Sequence, residues 1–239
     1  MASNAVKAAV EIFTSEKKRI PTFQLNNYEY RDYEKLVVTS NLLFRFSRPA
    51  CVVQPKDTTQ VKAIIEQIKK HHLRLTIRCG GHSYAGFSTA LEDNNILMDL
   101  RRMNKVELNE SATTVTFDAG CQWGEVYRAL INKKLDGLII NGGRCPYIGV
   151  GGFILGGGLG PSKRTFGMGS DTLLEVTLVT ANGEIVTVKR DEKEDPDNGK
   201  LFWALQGAGE ANFGVVTQMK LEIQKLKSKE GNVVRGTFM

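Results

Sequence analysis

Apolar residues at Val6, Val10 and Phe13 recur at helical spacing and predict an opening amphipathic helix, expected to pack outside the main core. Residues 50–54 form a short apolar run that reads as a strand. Asp57 or Thr58 can then cap a helix whose apolar face is Val61, Ile64, Ile65 and Ile68. Residues 73–78 predict the next strand and residues 96–100 another. A strand, a helix and a strand with short connections make a βαβ unit, which pairs its two strands in parallel. The loop after the second strand then lies at the sheet's carboxyl end.

The second half changes period. Residues 113–118 alternate as a half-buried strand does, and residues 123–135 read as a helix through Val126, Leu130 and Ile131. Residues 138–141 lead into a glycine-rich loop, and 150–158 are mostly small residues. Strands at 174–180 and 184–188 flank Asn182-Gly183, the signal of a two-residue hairpin. Residues 190–199, charged and carrying Pro196, read as a surface loop, 200–206 as a short helix and 214–223 as a closing strand. The expected organisation is a helical segment (1–44), a small βαβ-containing lobe (45–104) and a larger mixed or antiparallel lobe with helices (105–226). The fold class is α+β.

Composition fits an ordinary globular protein, 41% hydrophobic and 24% charged, and argues against disorder or membrane insertion. The net charge of +6 (32 minus 26) is spread along the chain, its densest run being Lys225, Lys227 and Lys229 near the end. That is a solvated face, so neither a nucleic-acid nor a membrane partner is expected. Four cysteines show no paired zinc spacing, so no metal is expected; Cys51 and Cys121 read as packing residues and Cys79 as structural. The first ten residues have no signal-peptide core, which favours a cytoplasmic location, or a secreted one if the chain is a mature form.

Candidate chemistry resides in two glycine-rich loops. His82 lies in Arg78-Cys-Gly-Gly-His-Ser-Tyr-Ala-Gly86, and Cys145 in Gly142-Gly-Arg-Cys-Pro-Tyr-Ile-Gly-Val-Gly-Gly152. Gly80 and Gly81 let backbone N–H groups approach a ligand, phosphate being the natural guest, while neutral imidazole and thiol are both nucleophiles. Two nucleophiles held this way point to a cofactor bound twice. The plainer readings are a loop histidine bonded to its own turn and a cysteine acting as a small buried hydrophobe. A Rossmann fingerprint is absent, because its third glycine would fall on Ile154 or on Pro161.

Together with Gly156-Gly-Gly-Leu-Gly160, Leu201-Phe-Trp-Ala-Leu-Gln-Gly-Ala-Gly209 and Asn212-Phe-Gly-Val-Val-Thr217, these runs resemble the berberine-bridge-enzyme-like flavoproteins of the vanillyl-alcohol oxidase superfamily. The resemblance spans about residues 45–226 and implies a two-lobed FAD-binding fold. It also implies FAD joined through its 8α methyl to His82 and through ring carbon 6 to Cys145. The cofactor-binding set it implies around the first loop is Arg78, Gly80, Gly81, Ser83 and Gly86. Around the second it is Gly143, Gly149, Val150, Gly151, Gly152, Gly156, Gly157, Gly158 and Gly160, with Gly214, Val215 and Val216 from the closing strand.

The implied reaction is oxidation of an alcohol, sugar or secondary metabolite, in which a base takes a proton and the flavin a hydride. Ile148 replaces the valine that accompanies oxidase behaviour in the family, which implies slow reaction with oxygen and dehydrogenase character in the complete enzyme; the plainer reading is a β-branched residue packing in the loop. Tyr84 and Tyr147 are expected to pack as aromatics, although both lie near the attachment points. Members of the family are nearly twice this length, so the resemblance implies a flavin module whose substrate domain only starts at residues 227–239. The catalytic base is expected beyond Met239, and no residue of this chain is assigned that role. An exposed ring face and last strand would then favour a complementing C-terminal domain or homo-oligomer as partner, besides the small-molecule substrate. The alternatives are a flavin-binding or partner-binding protein without turnover, and a glycine-rich domain holding another phosphate ligand or none.

Overall fold

A computed structural model describes residues 3–25, 30–90, 94–193, 195–208 and 212–228. Met239, beyond which the catalytic base is expected, lies outside the described residues, as do Gly209 and the rest of the tail from Lys229 onward.

The first sheet is built by α1 (Asn4–Thr14), β1 (Thr22–Phe23), α2 (Tyr30–Val37), β2 (Cys51–Val53), α3 (Thr58–Lys70), β3 (Arg74–Arg78) and β4 (Asn95–Asp99). Its order is β1-β2-β4-β3, with β2 and β3 both parallel to β4 and β1 antiparallel to β2. The βαβ strands are therefore parallel but not neighbours. The later strand β4 enters between them, because a crossover helix fixes handedness and direction, not adjacency. Asp57 caps α3 by accepting from the Gln60 N–H at 2.9 Å.

Strand β2 is buried on both faces. Cys51 and Val53 join the main hydrophobic cluster with Val61 and Ile64 of α3, while Val52 packs with Leu97, Tyr33 and Val37 under α2. The opening helix belongs to the core, contrary to the sequence expectation: Val6, Ala9 and Phe13 are fully buried in the main cluster. The inward stripe runs through Ala9 rather than Val10, and a small residue there allows a close approach to its neighbours.

The second sheet has the order β5-β6-β10-β8-β9, antiparallel throughout: β5 (Val106–Leu108), β6 (Thr114–Asp118), β8 (Leu173–Val179), β9 (Ile185–Lys189) and β10 (Val215–Glu222). Between β6 and β8 run α4 (Trp123–Asn132), β7 (Leu138–Ile139), α5 (Val150–Leu155) and α6 (Lys163–Phe166). Then α7 (Pro196–Leu205) follows β9, and β11 (Gln224–Lys225) pairs with β7.

Three sequence expectations change here. The last long strand is central and largely buried, not an exposed edge, because it fills the gap between β6 and β8. Pro196 starts a helix rather than marking a loop: it occupies the first turn, where its missing N–H costs nothing, and Asp195 accepts from the N–H groups of Asp197 and Asn198. The β8–β9 connection closes over three residues, with Thr180 N–H bonded to the Glu184 carbonyl. Only Gly183 (φ +83°) takes a positive φ there, whereas a two-residue type I′ turn also needs one at Asn182.

One hydrophobic cluster runs through both sheets, from Val53 and Ile96 to Phe117, Val176 and Met219. A bulge at Thr217 turns that buried hydroxyl toward α3, where it meets Thr58 Oγ1 at 3.1 Å and donates to the Thr177 carbonyl.

Candidate cofactor site

Strand β3 delivers its loop to the carboxyl end of the parallel sheet. Arg78, its last residue and one of those expected to bind the cofactor, has its guanidinium buried and engaged away from the cavity. It pairs with Asp99 at 3.0 Å and donates to the carbonyls of Val38 and Leu36 behind α2. Asp99 also holds Arg101 at 2.6 Å. Burial pushes the Asp99 carboxyl up, but the hydrogen bond from Arg101 and the charges of Arg78 and Arg101 outweigh it, and the net shift is downward. Desolvation lowers Arg78 from its usual high value, opposed by Asp99. Sequence motifs alone do not single out Asp99, because its partners are 21 and 2 residues away and in different elements.

After Arg78 the backbone N–H groups of Gly80, Gly81, His82 and Ser83 donate to no described residue. Gly81 takes φ +73°, which points successive N–H groups the same way, as in an anion-binding nest. Gly80 has another reason to be glycine. A Cβ there would lie 2.3 Å from the Gly149 backbone nitrogen, and a Cβ on Gly149 would lie 2.3 Å from the Gly80 nitrogen. The two loops meet backbone to backbone.

At this junction opens a cavity of about 240 Å³. From the expected set it is lined by Gly80, Gly81, His82 and Ser83 on one side, and by Ile148, Gly149, Gly151, Gly152, Gly214 and Val216 on the other. Residues not singled out from sequence supply much of the apolar wall: Ile77, Leu100, Phe153 and Leu155. Ser88 lines it too, its hydroxyl buried without a described partner. Among the described lining residues there is no carboxylate.

The rest of the expected set does not line this cavity. Cys145 is half-buried three residues before Ile148. A Cβ on Gly86 would strike the Phe44 ring, on Gly143 the Trp123 indole, and on Gly160 the Gly142 carbonyl, so these glycines serve packing between neighbouring segments. Val150 and Val215 face the core. Gly156, Gly157 and Gly158 form the turn that ends α5, the last two with positive φ. Tyr84 and Tyr147 are exposed (90% and 67%) rather than packed, since each lies at the tip of its loop. Burial pushes the Cys51 thiol up to about 12 and raises Cys121 as well, which leaves both as packing groups.

A mostly parallel sheet and an antiparallel sheet meeting at a glycine-walled cleft, with unpaired N–H groups at one side and apolar walls around it, define a nucleotide-cofactor-binding α+β protein. Residues 49–189 match the family model described as an FAD binding domain. Berberine bridge enzyme-like 23 of Arabidopsis thaliana is 31% identical over 207 residues, covering 84% of this chain and 38% of the relative. Among solved structures, BBE-like 1 of Physcomitrella patens superposes with a TM-score of 0.79 at 30% identity, over 93% of this chain and 45% of the other. Glucooligosaccharide oxidase from Acremonium strictum, which carries a 6-S-cysteinyl, 8α-N1-histidyl FAD, gives 0.78 at 26% identity, over 93% of this chain and 43% of the other.

The chain belongs to this FAD-binding domain family, and the relatives it matches are berberine-bridge-enzyme-like proteins. It spans less than half the length of those relatives.

Proposed function

We propose that the chain is the FAD-holding part of a berberine-bridge-type oxidoreductase. In this reading the cofactor is joined through its 8α methyl to His82 and through ring carbon 6 to Cys145. The observation that carries it is the Gly80–Gly149 contact, which brings the loops of the two nucleophiles together at one cavity. The doubly linked flavin of the glucooligosaccharide oxidase neighbour supports it.

The residues present fit the group. The unpaired N–H groups of residues 80–83 would take the pyrophosphate, with the Ser88 hydroxyl as a further donor, and no carboxylate among the described lining residues repels it. Phe153, Leu155, Leu100 and Val216 would supply apolar contact to the ring. When bound, FAD supplies hydride acceptance from a small-molecule alcohol, sugar or secondary metabolite. The chain's own part is to bind, orient and exclude water from that face. Because the described lining residues include no carboxylate, the proton-accepting group is proposed to come from a complementing domain or from a second copy. Ile148, half-buried in the wall, is proposed to narrow oxygen access.

Acid precipitation tests the central claim. Yellow colour and the mass of one FAD should stay with the protein, and either H82A or C145A alone should retain one bond. Colour that remains wholly in the supernatant would overturn the covalent reading.

A further inference from the structure

The loop bearing Cys145 is fixed at a carbonyl on each side of the thiol. Two residues before it, the Gly143 carbonyl accepts from Tyr127 Oη at 2.6 Å. One residue after it, the Pro146 carbonyl accepts from the Gly124 N–H at 2.9 Å, and the Trp123 N–H holds the Ile148 carbonyl at 3.1 Å. All three donors belong to α4, so one helix grips the loop at three points.

Tyr127 is itself set by packing. Its ring stacks on Trp123, one helical turn back, at 5.6 Å between centroids and 23° between planes; Trp123 in turn meets Phe153 of the cavity wall edge-on at 5.1 Å. A Cβ on Gly142 would strike both the indole and the Tyr127 hydroxyl, so the loop lies directly on this pair. Burial raises the phenol well above its ordinary value, and Oη therefore stays a donor across working pH.

We infer that Tyr127 is the positioning residue for the thioether bond: its hydroxyl holds the Gly143 carbonyl so that Cys145 Sγ is presented to the flavin edge. This rests on the bicovalent reading above. The bond forms with loss of the S–H and ring C–H hydrogens, and the two electrons and two protons released reduce dioxygen, the required oxidant, to hydrogen peroxide. Nothing comparable among the described residues ties Tyr127 to His82, which is carried by the other loop. The two bonds should therefore separate in a Tyr127 variant.

The test is Y127F, which removes the hydroxyl and keeps the stacked ring. Flavin-free wild type and variant are incubated with FAD in air, and the histidyl and thioether bonds are followed separately by peptide mass mapping. The expected result is an unchanged histidyl bond and a thioether that forms about 10- to 100-fold more slowly. The melting temperature should fall by only about 2–4 °C for the lost hydrogen bond. Thioether formation at the wild-type rate overturns the inference. So does a Y127F protein that fails to fold or loses both bonds together, because the hydroxyl would then be a general structural requirement. Wild type that acquires the histidyl bond but never the thioether overturns the bicovalent reading itself, a distinguishable failure.

Discussion

Replacing Gly80 by alanine isolates the contact on which the site is built. Neither Gly80 nor Gly149 uses a positive φ, so alanine's backbone preferences are satisfied and only space is at issue. The new methyl would lie 2.3 Å from the Gly149 nitrogen, where ordinary contact begins near 3.4 Å, so the loops must part by about 1.1 Å (3.4 minus 2.3). The obstacle is backbone and cannot rotate away. Overpacking of this kind costs about 1–3 kcal/mol. At about 2–4 °C per kcal/mol for a chain of this size, the melting temperature should fall by roughly 2–12 °C. Flavin retained after acid precipitation should fall as well, since displacements near 1 Å are enough to disrupt bond formation. G149A presses on the same gap from the other side, so the double variant should lose less than the sum of the two. G199A is the control. Gly199 lies inside α7 and its Cβ would meet only Glu192, ahead of the helix, at an ordinary 3.4 Å, so the variant should match or slightly exceed wild type. A G80A protein that melts within about 1 °C of wild type with full flavin content would refute the close-contact reasoning.

Two further outcomes follow from named residues. Asp99 has a carboxyl held below its ordinary value, so its contribution is full above the unfolded value near about 3.9 and is lost as pH falls through the lower folded value. D99N, which leaves Arg78 buried without its counter-ion, should lose about 3–5 kcal/mol at neutral pH, and the gap to wild type should narrow in acid; a gap constant from pH 7 to pH 2.5 counts against this. In a complete, substrate-reduced protein, I148V should speed reoxidation by air by about tenfold, the discrimination one methylene can give; fast wild-type reoxidation that I148V leaves unchanged, followed by stopped flow, rules out the gate.

Much of the frame is legible in local pattern. The Asp57 cap, the apolar face of α3 and the strands around Asn182-Gly183 are each written in a dozen neighbouring residues, and the structure shows them within a few positions. Strand adjacency is not local: nothing near residue 96 announces that β4 enters between β2 and β3, and nothing near residue 215 announces a central strand. The site divides the same way. Both glycine loops are visible as motifs, but the reason for particular glycines is not. Gly80 and Gly149 are small for each other, and Gly86 for Phe44, a relation between segments 42 or more residues apart. Arg78 reads as a ligand because it opens a motif, and only the fold shows that Asp99 claims it. Ser88 and Phe153 are unremarkable in sequence, and their value comes from the wall they complete.

The central place of β10 also imposes an order of events during synthesis. Strand β6 ends at Asp118 and its partner begins at Val215, 97 residues later (215 minus 118). At about 5–20 residues per second, that is roughly 5–20 s of translation. From the start of that interval β6 presents an open edge, joined by one on β8 once Val179 has been made, and the wall that Gly214 and Val216 bring to the cavity does not yet exist. A nascent chain therefore cannot enclose a cofactor until nearly all of this sequence has been made, and the same interval is when its unpaired edges are most open to pairing with another chain.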